Sequence, residues 1–195
     1  MKKFLLFVSI IFPTILFSQF PIEFIENKGQ WDQKAQYKAE IQGGSLWIES
    51  NTFTYDYISQ EDMDDFTVGW HGENREEFAE SATFRHHVYK VKFEGANVET
   101  DYSAKDILKK YNNYFIGDDP TKWAGKVPIA NRVYGNELYP GIDLESYSVN
   151  GHLKYDFIVH PGADPSAIIM HYEGAEVAIN KGHLEIGMSV GMVIE

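Results

Sequence analysis

Two runs of alternating residues meet at Asn150-Gly151, and that junction constrains the fold more than any other feature of the chain. Ile142 to Val149 and His152 to Val159 both read as strands, and an Asn-Gly pair between strands is a strong hairpin signal. A two-residue loop of type I′ needs positive φ at both central residues, which Asn and Gly tolerate best. Such a loop fixes the register. Val149 falls opposite His152, Leu144 opposite Phe157 and Ile142 opposite Val159. One face then carries Ile142, Leu144, Leu153, Tyr155, Phe157 and Val159, which predicts the core side. The other face sets Glu145 opposite Asp156, with Asp143 two residues along.

The rest of the chain has the same texture. Tyr37–Gln42, Leu46–Glu49, Thr52–Ile58, Thr83–Phe93, Tyr111–Ile116 and Val127–Tyr134 read as strands separated by turn residues. Beyond Pro161-Gly162-Ala163-Asp164-Pro165, short strands are expected at Ile168–Tyr172, Ala175–Ile179, His183–Ile186 and Ser189–Ile194. Many short strands at this spacing predict an all-β fold, an antiparallel β-sandwich. Two segments break the pattern. Residues 59–82 hold Glu61, Asp62, Asp64, Asp65, Glu73, Glu76, Glu77 and Glu80 and read as a long acidic loop, with room for a short strand at Phe66–Trp70. Ser103–Lys110 reads as one or two helical turns, capped by Ser103 with Asp106 three residues on.

Composition excludes several classes. Cysteine is absent, so no disulfide, thiolate zinc site or cysteine nucleophile is available. The formal net charge of −12 repels nucleic acid and anionic lipid headgroups. At the N-terminus, Lys2-Lys3 precede an apolar run from Phe4 to Phe17, and Ser18 offers a small residue before Gln19. This is the pattern of a secretory signal peptide at residues 1–18. The run is short for a membrane span and Pro13 interrupts it. Nothing later is apolar enough to span a bilayer, so residues 19–195 read as a single exported domain without membrane insertion.

Candidate chemistry centres on the carboxylates. Opposed like charges such as Glu145 and Asp156 destabilise a sheet by roughly 0.2–1 kcal/mol. Three readings offset that: solvation or pairing with Lys154, a calcium ion held by Asp143, Glu145 and Asp156, or a catalytic carboxylate pair of a retaining glycosidase. Asp62, Asp64 and Asp65 partly follow a calcium loop but lack the glycine and glutamate an EF-hand needs. Adjacent His86 and His87 point to opposite faces of a strand, and His152, His160, His171 and His183 lie on separate elements. No nucleophile elbow, P-loop or dinucleotide fingerprint occurs. Trp31, Trp47, Trp70 and Trp123 are candidates for stacking on sugar rings, or for the core.

Several motifs are familiar. They are Phe24-Ile25-Glu26-Asn27-Lys28-Gly29-Gln30-Trp31, Val91 to Asn97, Asn113 to Trp123, Tyr139-Pro140-Gly141-Ile142-Asp143-Leu144, and Leu153 to Pro165. Together they resemble the N-terminal β-rich domain of unknown function in secreted Bacteroidota surface proteins. Those proteins often continue into SBBP-type β-propeller repeats, PKD-like modules and a type IX sorting domain. The resemblance implies a non-enzymatic structural or binding module at the cell surface of a Gram-negative bacterium, with a role in adhesion among the readings. Its partners would be other domains of a larger protein, or an extracellular glycan or protein. The resemblance implies no catalytic residue and no cofactor; calcium is the one ion considered. A carbohydrate-active protein, either lectin-like or hydrolysing with Glu145 and Asp156, is the alternative. Relatives run on through further strands, so the domain is expected to be incomplete at Glu195.

If residues 1–18 are a signal peptide, the exported product begins at Gln19. Mass analysis of its N-terminus checks this, and a retained Met1 overturns it.

Overall fold

The computed structural model describes residues 21–71 and 75–194. The expected signal peptide lies outside them. The chain is all-β, and its sheets are antiparallel. In order come β1 (Phe24–Glu26), β2 (Tyr37–Ile41), β3 (Gly44–Ile48) and β4 (Thr52–Ile58), then helices α1 (Gln60–Trp70) and α2 (Arg75–Ser81). There follow β5 (His86–Phe93), β6 (Tyr102–Tyr114), β7 (Ala124–Tyr139), β8 (Ile142–Val149), β9 (His152–Val159) and β10 (Met170–Glu173). Last are β11 (Glu176–Asn180), β12 (His183–Met188) and β13 (Gly191–Ile194).

The first ten strands form one sheet in the order β10-β5-β4-β3-β2-β1-β7-β8-β9, with β6 on β7. The sheet curls into a half-barrel, so the sandwich-like core is largely enclosed by one sheet folding over itself. Side chains from distant strands meet inside. Phe93 of β5 packs edge-to-face on Phe53 of β4 at 5.1 Å and on Phe157 of β9 at 5.9 Å. Phe24, Leu46, Ile48, Ile142 and Leu144 are buried alongside them. Each such side chain contributes roughly 1.5–3 kcal/mol when fully buried. β11–β13 form a separate three-stranded sheet, joined to the same core through Ile186.

The long strand β7 organises the sheet. Ala130 pairs with both Phe24 and Ile107, and Arg132 with both Lys105 and Tyr147. One edge of β7 therefore carries β6, and the other carries β1 and then β8. Two bulges interrupt β7. In each, a residue at positive φ gives its N–H to a side-chain oxygen. Lys126 (φ 54°) donates to Asn113 Oδ1 at 2.8 Å, and Glu137 (φ 50°) donates to Asp143 Oδ1 at 2.7 Å. The side chains stand in for ladder partners that the bulges remove. Gly135 is fixed by a close approach, since a Cβ there would lie 2.6 Å from the Tyr102 ring.

Two expectations are corrected. The acidic segment 59–82 is not a loop: it contains α1 and α2. Ser59 caps α1 by accepting from the Asp62 N–H, and Glu61 and Asp62 sit in its first turn, where the helix dipole favours acids. Phe66 and Trp70, one helical turn apart, stack at 5.8 Å, and Phe66 also meets Phe78 and Phe84. Arg85 then ties the helix to β5 through Glu61 and Asp62, both at 2.6 Å. High acidity hid an apolar helical spacing. Ser103–Lys110, in turn, is not helical but part of β6. Pairing with β7 overrides the local capping signal, and Asp106 adopts φ 53° within an irregular stretch and pairs with Arg132 at 3.2 Å.

The hairpin holds in full. Val149 pairs with His152, Leu144 with Phe157, Glu145 with Asp156 and Ile142 with Val159. Asn150 and Gly151 have φ 51° and 76°. Gly151→Val should therefore destabilise the fold by about 1–3 kcal/mol, because a β-branched residue resists positive φ. Urea denaturation checks this, and an unchanged midpoint overturns the turn assignment.

Candidate functional site

The outer face of β6–β9 collects the carboxylates singled out in the sequence. Cross-strand pairing builds two adjacent rows. One runs Lys105, Arg132, Tyr147, Lys154, and the other Ser103, Tyr134, Glu145, Asp156. Glu145 and Asp156 are thus direct neighbours, as their register predicts. Each is engaged separately. Arg132 reaches Glu145 at 3.3 Å, and the Tyr147 hydroxyl donates to Asp156 at 2.8 Å. The Arg132 guanidinium also lies 5.2 Å from the Tyr147 ring centre. The cation that pairs with Glu145 is Arg132 of β7, and no ion pair of Lys154 occurs among the described residues.

Asp143 lies along the same face but is only 2% exposed. Its carboxylate accepts from the Tyr134 hydroxyl, from the Glu137 N–H at 2.7 Å and from His160 Nε2 at 2.5 Å. His160 is itself held by its N–H to the Gly141 carbonyl at 2.9 Å. Burial pushes the Asp143 carboxyl up. The hydrogen bonds from Tyr134, Glu137 and His160, with the charge on His160, outweigh this and hold it below its ordinary value. The Tyr134 hydroxyl is pushed up to about 12, chiefly by its hydrogen bond to Asp143. Asp143 is therefore a buried anion that accepts from three protein donors.

Asp143, Glu145 and Asp156 do not converge: no group of three acidic or histidine side chains able to hold a metal ion occurs among the described residues. The histidines are dispersed as well. His86 pairs with Asp56 at 2.8 Å, His171 lies 3.6 Å from Glu94, and His87 bridges the Gly174 carbonyl and Ser189.

A second cluster lies on the outer face of β1–β3. Trp31 packs edge-to-face on Trp47 at 5.2 Å and on Tyr114 at 5.3 Å. Lys38 Nζ sits 5.0 Å from the Trp47 ring centre. Asn27 presents Trp31. Its side chain donates to the Asp32 and Ala35 carbonyls and accepts from the Gly29 and Trp31 N–H groups. Beside this loop is a depression of about 310 Å³ lined in part by Glu26, Asn27, Gln36, Tyr37 and Asp101. Residue spacing alone did not reveal Tyr134, Arg132 or His160 as partners of the carboxylates. The contacts of Tyr134 and Arg132 depend on the pairing of β7 with β8, which no local pattern encodes, whereas that of His160 follows from the β8–β9 register.

These features define an antiparallel all-β domain whose motif polar groups brace its own backbone. The chain belongs to a family described as a domain of unknown function (DUF7948), whose model matches residues 24–195. No curated protein and no solved structure matches it.

Asp143→Ala should destabilise the fold by at least about 2 kcal/mol, because it strands the Tyr134 hydroxyl and the Glu137 N–H. Glu145→Ala, at a half-exposed ion pair, should cost well under half of that. The pH dependence follows from the depressed Asp143 pKa. Its contribution is present above the unfolded carboxyl value of about 3.9 and is lost as pH falls through the folded value. Urea midpoints between neutral and strongly acid pH check this. Equal losses in the two variants, or an acid response unchanged in Asp143→Asn, overturn the assignment.

Proposed function

We propose that this chain is an extracellular, non-enzymatic module, serving as a structural or binding part of a larger bacterial surface or secreted protein. One observation carries the reading: polar motif residues behind the family resemblance are spent on the chain's own backbone. Asn27 closes the loop before β2, Asn113 and Asp143 fill the bulges of β7, and the His160 side chain is hydrogen-bonded to Asp143. Catalysis requires a reactive group beside a place where substrate can sit. Here the motif directs its donors and acceptors to other groups of the same chain, which is how a scaffold uses them. Export rests on Lys2-Lys3, the apolar run to Phe17 and Ser18. The Bacteroidota surface context rests on the motif resemblance.

The second reading, carbohydrate binding, is supported by Trp31, Trp47 and Tyr114 gathered on an outer face beside Lys38. Aromatic rings of this kind stack on sugar faces. A calcium ion at the Asp143, Glu145 and Asp156 face would have to draw Glu145 from Arg132 and Asp156 from Tyr147.

A glycan array, run with calcium and with chelator and paired with an assay for released sugar, tests these readings. The module is expected to release no sugar. Binding lost in Trp31→Ala but kept in Glu145→Gln/Asp156→Asn would assign a lectin-like role. Calcium-dependent sugar release abolished by that double variant would overturn the non-enzymatic reading.

A further inference from the structure

Asn150-Gly151 is the only Asn-Gly pair in the chain, and it stands at the tip of the β8–β9 hairpin. Val149 pairs with His152 just below it, so the two turn residues lie outside the ladder. Asn150 is exposed, and its carboxamide makes no hydrogen bond among the described residues. Other asparagines are held. Asn27 donates to the Asp32 and Ala35 carbonyls, Asn97 accepts from the Glu99 N–H, Asn113 accepts from the Lys126 N–H, and Asn180 donates to Glu185. None of these four is followed by glycine.

This combination bears on a reaction of asparagine itself, one of the thermolabile residues. A carboxamide carbon is attacked by the main-chain nitrogen of the next residue when that nitrogen is uncrowded and unbonded. Gly151 has no Cβ to screen its nitrogen. A two-residue hairpin loop uses the backbone groups of the flanking pair and leaves the N–H groups of the turn to solvent.

We propose that Asn150 is a site of spontaneous deamidation, and that its isoaspartyl product loosens the β8–β9 hairpin. Hydroxide removes the Gly151 N–H proton, and the nitrogen attacks Asn150 Cγ. A C–N bond forms, the carboxamide nitrogen takes a proton from water and leaves as ammonia, and a five-membered imide joins the two residues. Water then opens the imide. Opening at Cγ gives aspartate. Opening at the main-chain carbonyl gives isoaspartate, whose peptide link runs through Cβ and Cγ. One water is consumed and one ammonia released, with no change of oxidation state and no co-reactant besides water.

The imide ring needs a backbone conformation outside the left-handed region that Asn150 occupies at φ 51°, so the turn has to open first. The fold makes that opening local. β9 ends the sheet and is bonded to β8 alone, so fraying from the Val149–His152 pair disturbs no other strand. The two products then differ. Aspartate suits a tight turn before glycine as asparagine does. Isoaspartate adds a main-chain carbon to a loop built for two residues and pulls Val149 and His152 out of register.

The full chain is incubated at neutral and at mildly alkaline pH beside a free peptide of residues 147–154, and both are mapped by digestion and mass analysis. Residue 150 should gain the mass difference of acid for amide in both, faster at the higher pH, with isoaspartate among the products. The chain should react more slowly than the peptide, and urea should remove that difference. The isoaspartyl form, separated from unreacted chain, should exchange its β9 amides faster and unfold at lower urea, whereas freshly prepared Asn150→Asp should keep the original midpoint. A chain unreacted at residue 150 after the peptide is fully converted overturns the proposal. So does conversion at Asn27 or Asn180 ahead of Asn150, or an isoaspartyl form as stable as the unreacted chain.

Discussion

The buried carboxylate of Asp143 holds together the part of the sheet where one strand serves three partners. β7 is bonded along one edge to β6 and along the other to β1 and then β8. Between Gly135 and Tyr139 it carries residues that β8 cannot match, and backbone polar groups there lose their ladder partners. Asp143 supplies the missing acceptor to Glu137 while Tyr134 and His160 complete its shell. A buried charge is tolerated only when surrounded by donors in this way. The curvature that lets Phe157 of β9 meet Phe93 of β5 goes with this bulged region, because bulges bend and twist the strands they interrupt.

The same device recurs at the other bulge, where Asn113 accepts from Lys126, and in the loop that Asn27 closes. Motif residues that look like candidates for chemistry are here acceptors and donors for strained backbone. The Glu145–Asp156 opposition has a similar outcome. A cation from a third strand, Arg132, and a hydroxyl from the hairpin itself, Tyr147, take up the two carboxylates one each.

Charge is distributed unevenly over this framework. The acids of α1 and α2 cluster between β4 and β5, whereas lysines gather along β6 and the start of β7. Lysines and an irregular stretch on a long edge strand such as β6 also discourage unwanted strand pairing. The net charge of −12 averages over these regions and describes neither.

The sequence by itself determined the all-β class, the β8–β9 hairpin and the Glu145–Asp156 register, because period-two alternation and an Asn-Gly turn act between neighbouring residues. Capping and acidity, which are also local, misled at Ser103–Lys110 and at residues 59–82. There β6 gains its hydrogen bonds from β7, and the helices gain their aromatic contacts from Phe66, Trp70, Phe78 and Phe84. Only the tertiary structure decided that Asp143 is buried, that Tyr134 and Arg132 are partners of the acidic face, and that Trp31 meets Tyr114. Each of those contacts crosses a strand pairing or a long loop. The energy that selects it comes from burying and satisfying groups that are remote in the chain, which no local pattern of residues records.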